Sequence, residues 1–221
     1  MAHIRYAGPE AVLDALVDRY PILAPQKEGI RALYELIHQS FASGGKLLVC
    51  GNGGSAADAL HIVGELMKSF TLPRPINAEA ARLLSERFGQ EGERLAASLE
   101  GALPAVALVE NAALSTALQN DVSGGISFAQ QVYGLGRPGD VLLCISTSGN
   151  AANAVAAAMV AHARGMRVAL LSGGTGGKLR PLCDVSVVVG VSETFMVQEL
   201  HLPVYHALCL MLEYAFFPPA Q

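Results

Sequence analysis

The sequence has no cluster of lysine and arginine. Its 221 residues carry 15 basic and 19 acidic side chains, which gives a formal net charge of −4. A nucleic-acid surface needs concentrated positive charge, so the composition argues against a nucleic-acid partner. A phosphate group bound by this chain would have to be held by backbone N–H groups and hydroxyls.

Other features are also missing. The four cysteines show no Cys-x-x-Cys spacing, and they lie in or beside apolar segments at Cys50, Cys144, Cys183 and Cys209. We therefore expect buried, reduced thiols rather than disulfides or a zinc knot. No signal-peptide core opens the sequence, and we expect each apolar stretch to fall short of a membrane span. These features predict a cytoplasmic protein without a membrane partner.

No internal repeat, low-complexity tract or linker divides the chain, and 52% of its residues are hydrophobic. A chain of this length and composition can bury one sizeable core. We predict a single domain over residues 1–221, with N-terminal helices at about 10–42 and a helical insert at about 72–103. The insert is charged and interrupted by prolines, which is typical of an exposed amphipathic segment and leaves open a lid or an oligomer contact.

Short runs rich in valine and leucine alternate with helix-like segments. Near-continuous apolarity is typical of parallel strands that helices cover on both faces. The pattern predicts an α/β fold, a three-layer α/β/α sandwich with a five-stranded parallel sheet. The predicted strands are residues 46–50, 105–109, 140–145, 167–171 and 185–189, and the predicted outer helices are 10–19, 26–41 and 194–216.

A glycine-rich turn of Asn52, Gly53, Gly54 and Ser55 follows the first predicted strand and leads into a helix. Glycines allow the backbone to approach a phosphate, and the free N–H groups at a helix N-terminus favour an anion. Ser55 can cap the helix and also donate its hydroxyl. The turn therefore predicts a phosphate site, although similar turns also serve as plain connections between strand and helix.

His61 and Glu65 lie one helical turn apart on this helix, so both side chains project from one face. The spacing suits a metal-binding pair. The same spacing is more often found on a solvated helix face than in a metal site.

A second loop, with Ser146, Thr147 and Ser148, follows the third predicted strand and also opens a helix. Loops at the carboxyl ends of parallel strands converge on one crevice, so we expect this loop beside the first. Serine and threonine are common caps in any case. The glycine-rich segment 173–178 does not match a nucleotide P-loop, because Ser172 stands where the first glycine belongs and Leu179 follows the lysine.

The last predicted helix carries Gln198, Glu199, His201 and His206. Gln198 and His206 differ by roughly 80° around the helix axis, so one broad face can present both. Pro203 lies between them, removes a helical hydrogen bond and can kink the helix. Each of these polar residues is also compatible with a purely structural role.

Together these motifs resemble the sedoheptulose 7-phosphate isomerases, or phosphoheptose isomerases, of the sugar isomerase (SIS) domain superfamily. The resemblance spans nearly the whole chain and rests on GNGGSAADALH with Glu65, Asn120-Asp121, GRPGDVLL followed by STSGN, and ETFMVQELHLPVYH. It implies a homotetramer that converts sedoheptulose 7-phosphate to D-glycero-D-manno-heptose 7-phosphate and supplies heptose for surface polysaccharide such as lipopolysaccharide.

Site residues follow from the resemblance by position. It implies one zinc ion per subunit, held by His61, Glu65, Gln198 and His206. It also implies a sugar-phosphate site lined by Asn52, Gly53, Gly54, Ser55, Glu65, Asn120, Asp121, Ser146, Thr147, Ser148 and Gln198. Aldose–ketose isomerisation through an enediol requires a base, a proton donor and stabilisation of negative charge on oxygen. We assign Glu65 as the base and His206 as the acid, with zinc polarising the substrate oxygens.

The chain departs from the family pattern in three places. Lys68 and Ser69 stand where many members place an arginine, Ala151 replaces a serine after STSGN, and the insert at 72–103 is longer than in the simplest members. Two alternatives stay open: a non-catalytic SIS regulator or scaffold, such as the type that binds the bacterial replication initiator, and an isomerase of another sugar phosphate. Glu65 and His206 favour the enzyme, since the scaffold lacks them.

Overall fold

The computed structural model describes residues 5–122 and 124–219. The first four residues, which entered the expectation about a signal peptide, lie outside the described part. A five-stranded, all-parallel sheet forms the centre of the fold, in the order β2-β1-β3-β4-β5. The strands are β1 (Leu47–Gly51), β2 (Ala105–Ala107), β3 (Val141–Ser146), β4 (Arg167–Gly173) and β5 (Val185–Val189). The predicted α/β fold and all five strand positions are confirmed.

Helices cover both faces of this sheet. They are α1 (Pro9–Arg19), α2 (Lys27–Ala42), α3 (Gly54–Met67), α4 (Ala78–Ser98), α5 (Ala112–Asp121), α6 (Ser127–Leu135), α7 (Ala152–Ala163) and α8 (Thr194–Phe216). Helices α1, α2, α3 and α8 pack on one face, and α6 and α7 pack on the other. The predicted three-layer sandwich is therefore the observed architecture.

The two cores follow from the alternation of side chains along each strand. Leu47 and Val49 of β1 enter the core beneath α1, α2, α3 and α8, whereas Leu48 and Cys50 enter the core beneath α6 and α7. All four are fully buried. This double burial explains why the strands read as continuous apolar runs.

The order of strands reverses at β1, which pairs with both β2 and β3. After β2, the chain crosses to the other side of β1 to form β3. In open α/β sheets, ligands bind in the crevice beyond the carboxyl ends of the strands at such a switch point. The loops after β1 and β3 flank it.

The insert contains α4, which lies at the periphery and buries only Gly92. Gly89 has φ 55° and ψ −135°, so it breaks α4 into two arms. A Cβ added at Gly92 would lie 1.9 Å from the carbonyl oxygen of Leu84, so the arms fold tightly back on each other. The sequence predicted one helical excursion here and did not indicate the break.

The expectation that every apolar stretch falls short of a membrane span is wrong for α8. Its 23 residues are, by length and composition alone, enough to cross a membrane. However, 56% of its apolar window is buried within the protein, where α8 packs on α1, α2 and α3. A helix that is hydrophobic all round is expected in the core of such a fold. The helix continues through Pro203.

His201 of α8 lies in this core, fully buried, and neither ring nitrogen has a hydrogen-bond partner of good geometry among the described residues. Burial lowers the pKa of His201 to about 4, and the backbone of Ser172 offsets this only in part. The unfolded chain, with a histidine pKa of about 6.5, binds a proton that the folded protein excludes. Stability is thus fully present above pH ~6.5 and is lost as pH falls towards 4, by about 3 kcal/mol from this group.

Urea unfolding of the wild type and of His201→Leu at pH 7 and pH 4.5 checks this prediction. We expect the free energy of unfolding to depend less on pH in the variant, because leucine removes the excluded proton. His162→Gln, a substitution of an exposed histidine on α7, serves as control and should keep the wild-type pH dependence. Equal pH dependence in His201→Leu and wild type would contradict the assignment.

Candidate active site

A crevice of about 480 Å³ lies at the switch point, between the loops that follow β1 and β3. The first turn of α8 also lines the crevice, through Thr194 and Gln198. Its lining contains eight of the residues expected to bind sugar phosphate: Asn52, Gly53, Gly54, Ser55, Ser146, Thr147, Ser148 and Gln198. The predicted convergence of the two loops is therefore observed. Ile145, Asn150, Ala151 and Thr194 also line the crevice, and sequence reasoning did not assign them to it.

The loop after β1 places α3 with its first turn at the crevice. Gly53 has φ 55°, a conformation that favours glycine, and its carbonyl oxygen accepts from the N–H groups of Ala56 and Ala57. Ser55 is buried at the start of the helix. The amides of Asn52 and Asn153 exchange two hydrogen bonds, of 3.0 and 2.9 Å, which tie the loop after β1 to α7.

The glycine-rich segment 173–178 packs against the loop after β3. Gly149 has φ 68°, and a Cβ there would lie 1.9 Å from the carbonyl oxygen of Gly176. The N–H of Leu179 donates to the carbonyl of Gly149, and that of Lys178 donates to the Asn150 side chain. The segment 173–178 therefore stabilises the loop after β3.

A second cluster lies further along α3 and α8. His61 Nε2 is 3.2 Å from Glu65 Oε1, and the His61 and His206 rings meet edge to face with centroids 4.9 Å apart. Lys68 Nζ donates to Glu65 Oε2 at 3.3 Å and to the Ser69 carbonyl. Lys68 thus supplies a cation beside Glu65.

Burial favours the neutral form of the His206 imidazole. It lowers the pKa of His206, and His61 lowers it further, while Glu65 opposes the shift. His206 Nε2 is buried and has no hydrogen-bond partner among the described residues. A buried nitrogen that lacks a partner costs stability, so it is the kind of atom that a ligand or metal satisfies.

The chemistry of the expected zinc ligands fits zinc, which accepts histidine nitrogen and carboxylate oxygen. His61, Glu65 and His206 lie together, and the partnerless Nε2 of His206 is consistent with a donor role. Gln198 lies eight residues before His206, about 12 Å along the axis, with its amide against Gly54 in the anion crevice. Among the described residues, no group of three His, Cys, Asp or Glu side chains converges closely enough to hold a metal ion.

Asn120 and Asp121 are not brought to the crevice. They end α5 on the protein surface, where Asn120 Nδ2 donates to Asp121 Oδ1 at 2.7 Å. Sequence reasoning also missed the groups that position the second cluster. Tyr205 contacts His61, and the buried Arg74 bonds the carbonyls at the end of α3. Tyr205 and His61 are 144 positions apart, so no local pattern indicates their contact.

Comparison with known proteins shows the family of the chain. The SIS domain family matches residues 15–94 and 80–173. A phosphoheptose isomerase of Thiobacillus denitrificans is 39% identical over 212 residues, which cover 94% of this chain and 92% of that protein.

Two solved structures of phosphoheptose isomerases are also similar. The structure from Neisseria gonorrhoeae is 34% identical with a TM-score of 0.69, over 91% of this chain and 92% of that one. The structure from Francisella tularensis is 30% identical with a TM-score of 0.70, over 92% of this chain and 93% of that one. At 39% identity over nearly its whole length, and with SIS domain matches over most of the chain, this protein belongs to the phosphoheptose isomerase family of SIS domain proteins.

Proposed function

We propose that this protein is an aldose–ketose isomerase which converts D-sedoheptulose 7-phosphate to D-glycero-D-manno-heptose 7-phosphate through an enediol. One observation carries the proposal. Helix α3 begins at the crevice between the loops after β1 and β3, and it bears Glu65 near its C-terminal end, close to His61 and His206. Ser55 and Glu65 are ten residues apart, about 15 Å along the axis. Such a separation suits a sugar whose phosphate lies at the far end of a seven-carbon chain from the reacting C1–C2 bond.

In this mechanism the two helix N-termini and the serine hydroxyls bind the phosphate. Glu65 takes a proton from C1 of the ketose while His206 donates one to the C2 oxygen, which gives the enediol. Glu65 then returns its proton to C2, and His206 recovers a proton from the C1 hydroxyl, which leaves the aldose.

The same proposal includes one zinc ion per subunit. His61, Glu65, Gln198 and His206 would hold it, and the bound ion would polarise the carbonyl and hydroxyl oxygens of the substrate. Gln198 and His206 lie about 12 Å apart along α8. To bind the same ion, their side chains would have to extend towards each other. The Gln198 amide is a weaker donor than a thiolate or an imidazole, so we expect modest affinity.

The test is an assay of the purified protein on ketose phosphates of five, six and seven carbons, with and without added zinc. We expect sedoheptulose 7-phosphate to be converted fastest, with the aldose product identified by NMR. Preference for a shorter ketose would favour the isomerase of another sugar phosphate. Absence of isomerisation with every ketose would favour the non-catalytic regulator or scaffold, against which Glu65 and His206 already argue.

We predict that Ser55→Ala and Ser148→Ala each weaken binding of the sugar phosphate by about 1–2 kcal/mol, because each removes a hydrogen bond to a charged group. The Ser148 hydroxyl oxygen accepts weakly from the Asn150 N–H, so its proton is free to donate to an anion. Calorimetric titration measures the effect. Ser98→Ala, which removes an exposed hydroxyl on α4, should bind as the wild type does. Unchanged affinity in both crevice variants would refute the phosphate site.

We also infer a homotetramer. Large apolar side chains are exposed on the helices that carry the site, namely Leu60 and Met67 on α3 and Phe195 and Leu202 on α8. Exposed apolar patches of this kind mark interfaces, and closed symmetric assemblies are the usual result. Light scattering should give about 92 kDa, four times the 23.1 kDa of the chain. A monomer mass at micromolar concentration would refute this inference.

The proposed setting is the cytoplasm. The support is that all four cysteines are free, and that Cys50 and Cys144 have Sγ atoms 3.7 Å apart on paired strands without a disulfide. The proposed partner is a small sugar phosphate, together with further copies of the chain.

A further inference from the structure

The side chains of Asn52 and Asn153 join the two segments that flank the crevice. Asn52 follows β1 and lines the crevice, whereas Asn153 lies in the first turn of α7 and does not line it. Asn52 Nδ2 donates to Asn153 Oδ1 at 3.0 Å, and Asn153 Nδ2 donates to Asn52 Oδ1 at 2.9 Å. Asn153 therefore contacts a lining residue from outside the crevice.

A backbone contact fixes which way round the Asn153 amide lies. Asn153 Oδ1 also accepts from the N–H of Ala154 at 3.0 Å, so both lone pairs of this oxygen have donors. An inverted amide would place Nδ2 against that N–H, and two donors would then face each other. Asn153 Nδ2 is therefore directed to Asn52, whose oxygen has to face it. The backbone of α7 thus sets the orientation of the Asn52 amide through Asn153.

The contact with Asn153 uses only half of the hydrogen-bonding capacity of Asn52. An asparagine amide has two N–H donors and an oxygen with two lone pairs. One donor and one lone pair of Asn52 bond Asn153. Asn52 keeps one N–H and one lone pair, and it lines the crevice beside Gly53, Gly54 and Ser55. Phosphate oxygens accept hydrogen bonds, and sugar hydroxyls both donate and accept, so these two groups match a sugar phosphate.

A fixed orientation of Asn52 favours binding. Asn52 is an exposed residue, and without Asn153 its amide would be free to rotate. Ordering a mobile side chain when a ligand binds costs conformational entropy, which a side chain already held in place has lost during folding. The pair also connects the start of α7 with the turn that opens α3, so that the N–H groups at both helix N-termini can face one ligand.

We propose that Asn153 is a positioning residue for substrate binding, which holds the Asn52 amide in one orientation so that its remaining N–H and lone pair meet the sugar phosphate. The inference rests on the crevice as the sugar-phosphate site of the proposed function. The Asn153 side chain itself makes no contact with the ligand, so its effect passes through Asn52. This property separates Asn153 from a direct ligand and from a residue that serves stability alone.

The first test is a double-mutant cycle, in which calorimetric titration measures the affinity for sedoheptulose 7-phosphate. We expect Asn153→Ala to weaken binding about 3–10-fold, because the Asn52 amide is released. In the Asn52→Ala background the same substitution should change the affinity by less than about twofold, since the residue through which it acts is gone.

Asn77→Ala is the matched control for this cycle. Asn77 also accepts a backbone N–H at the start of a helix, in this case that of Ala80 in α4, and it does not line the crevice. Its affinity should equal that of the wild type. Equal affinity in Asn153→Ala and Asn77→Ala overturns the proposal, and so does a loss from Asn153→Ala that persists in full in the Asn52→Ala background.

Steady-state kinetics of Asn153→Ala gives a second readout. A residue that acts on substrate binding alone changes the ground state and the transition state equally, so we expect a raised KM and a kcat near that of the wild type. Local unfolding would instead reduce the amount of active protein, which lowers kcat and leaves KM unchanged. A fall in kcat without a rise in KM therefore overturns the positioning role.

Failure of this inference and failure of the proposed function give different results. A wild type that binds sedoheptulose 7-phosphate and isomerises no ketose phosphate refutes the function, while the calorimetric cycle still tests Asn153. A wild type that isomerises sedoheptulose 7-phosphate, together with wild-type affinity in Asn153→Ala, overturns the inference and leaves the isomerase standing.

Discussion

The Glu65→Gln variant is expected to isomerise sedoheptulose 7-phosphate about 10²–10⁴-fold more slowly than the wild type, which is the usual contribution of a positioned base. Glutamine keeps the shape of the side chain and an oxygen donor but takes up no proton at neutral pH. Glu65 is held by His61 and Lys68, and only 14% of its side chain is exposed. The phosphate contacts lie about 15 Å away along α3, so substrate binding should change little while turnover falls.

His206→Asn should lower turnover to a similar extent, because it removes the proposed acid and leaves the crevice intact. Steady-state kinetics measures both effects, and metal analysis of each variant separates the loss of a base or acid from the loss of zinc. Glu86→Gln changes an exposed carboxylate on α4 and should behave as the wild type. Wild-type turnover in both active-site variants would refute the assignment of base and acid.

The sheet could be predicted from the sequence because its signals are local. The central strands β1, β3 and β4 are buried on both faces and therefore appear as near-continuous apolar runs, and the observed strands overlap all five predicted runs. Helix α8 was predicted with its observed bounds, 194–216, since one long, predominantly apolar segment lies between β5 and the prolines at 218 and 219. The crevice between the loops after β1 and β3 was also predictable, because a parallel sheet brings the loops after neighbouring strands to one edge.

Contacts between distant residues could not be predicted in this way. The contact of Tyr205 with His61 joins residues 144 positions apart. Neither a tyrosine nor a histidine in the sequence indicates which distant residue it will contact. The position of Gln198 is a similar case: helical phase places it on the face shared with His206, but only the packing of α8 on α3 brings it against Gly54. The break in α4 at Gly89 depends on a left-handed glycine within a segment that otherwise has helical composition.

The least predictable contact is the ion pair of Arg74 and Glu213, 139 residues apart and fully buried on both sides. Glu213 accepts hydrogen bonds from the backbone N–H groups of Phe70, Thr71 and Leu72 and from Arg74 Nε. Arg74 also donates to the carbonyls of Glu65 and Leu66. The pair therefore satisfies the last carbonyls of α3 and fixes the turn of helix that carries the proposed base.

Removing one partner of this pair should be strongly destabilising. We expect Glu213→Gln to lower the free energy of unfolding by about 3–5 kcal/mol, because the Arg74 guanidinium then stays buried without a counter-charge. Urea unfolding measures the loss. The Arg82→Gln change, which breaks an exposed pair on α4, should cost less than about 1 kcal/mol and serves as control.

The double variant Glu213→Gln, Arg74→Met separates the cost of an uncompensated charge from the value of the pair. Methionine removes the buried charge and keeps an unbranched side chain of similar length, so the double variant should be less destabilised than the sum of its two single variants. In the double variant the Glu65 carbonyl loses its Arg74 donor and the Leu66 carbonyl keeps only the Leu103 N–H, so the last turn of α3 should loosen and turnover should fall even where the protein stays folded. Full turnover in a folded double variant would mean that Glu65 is positioned by its own contacts with His61 and Lys68, and that the ion pair contributes only to stability.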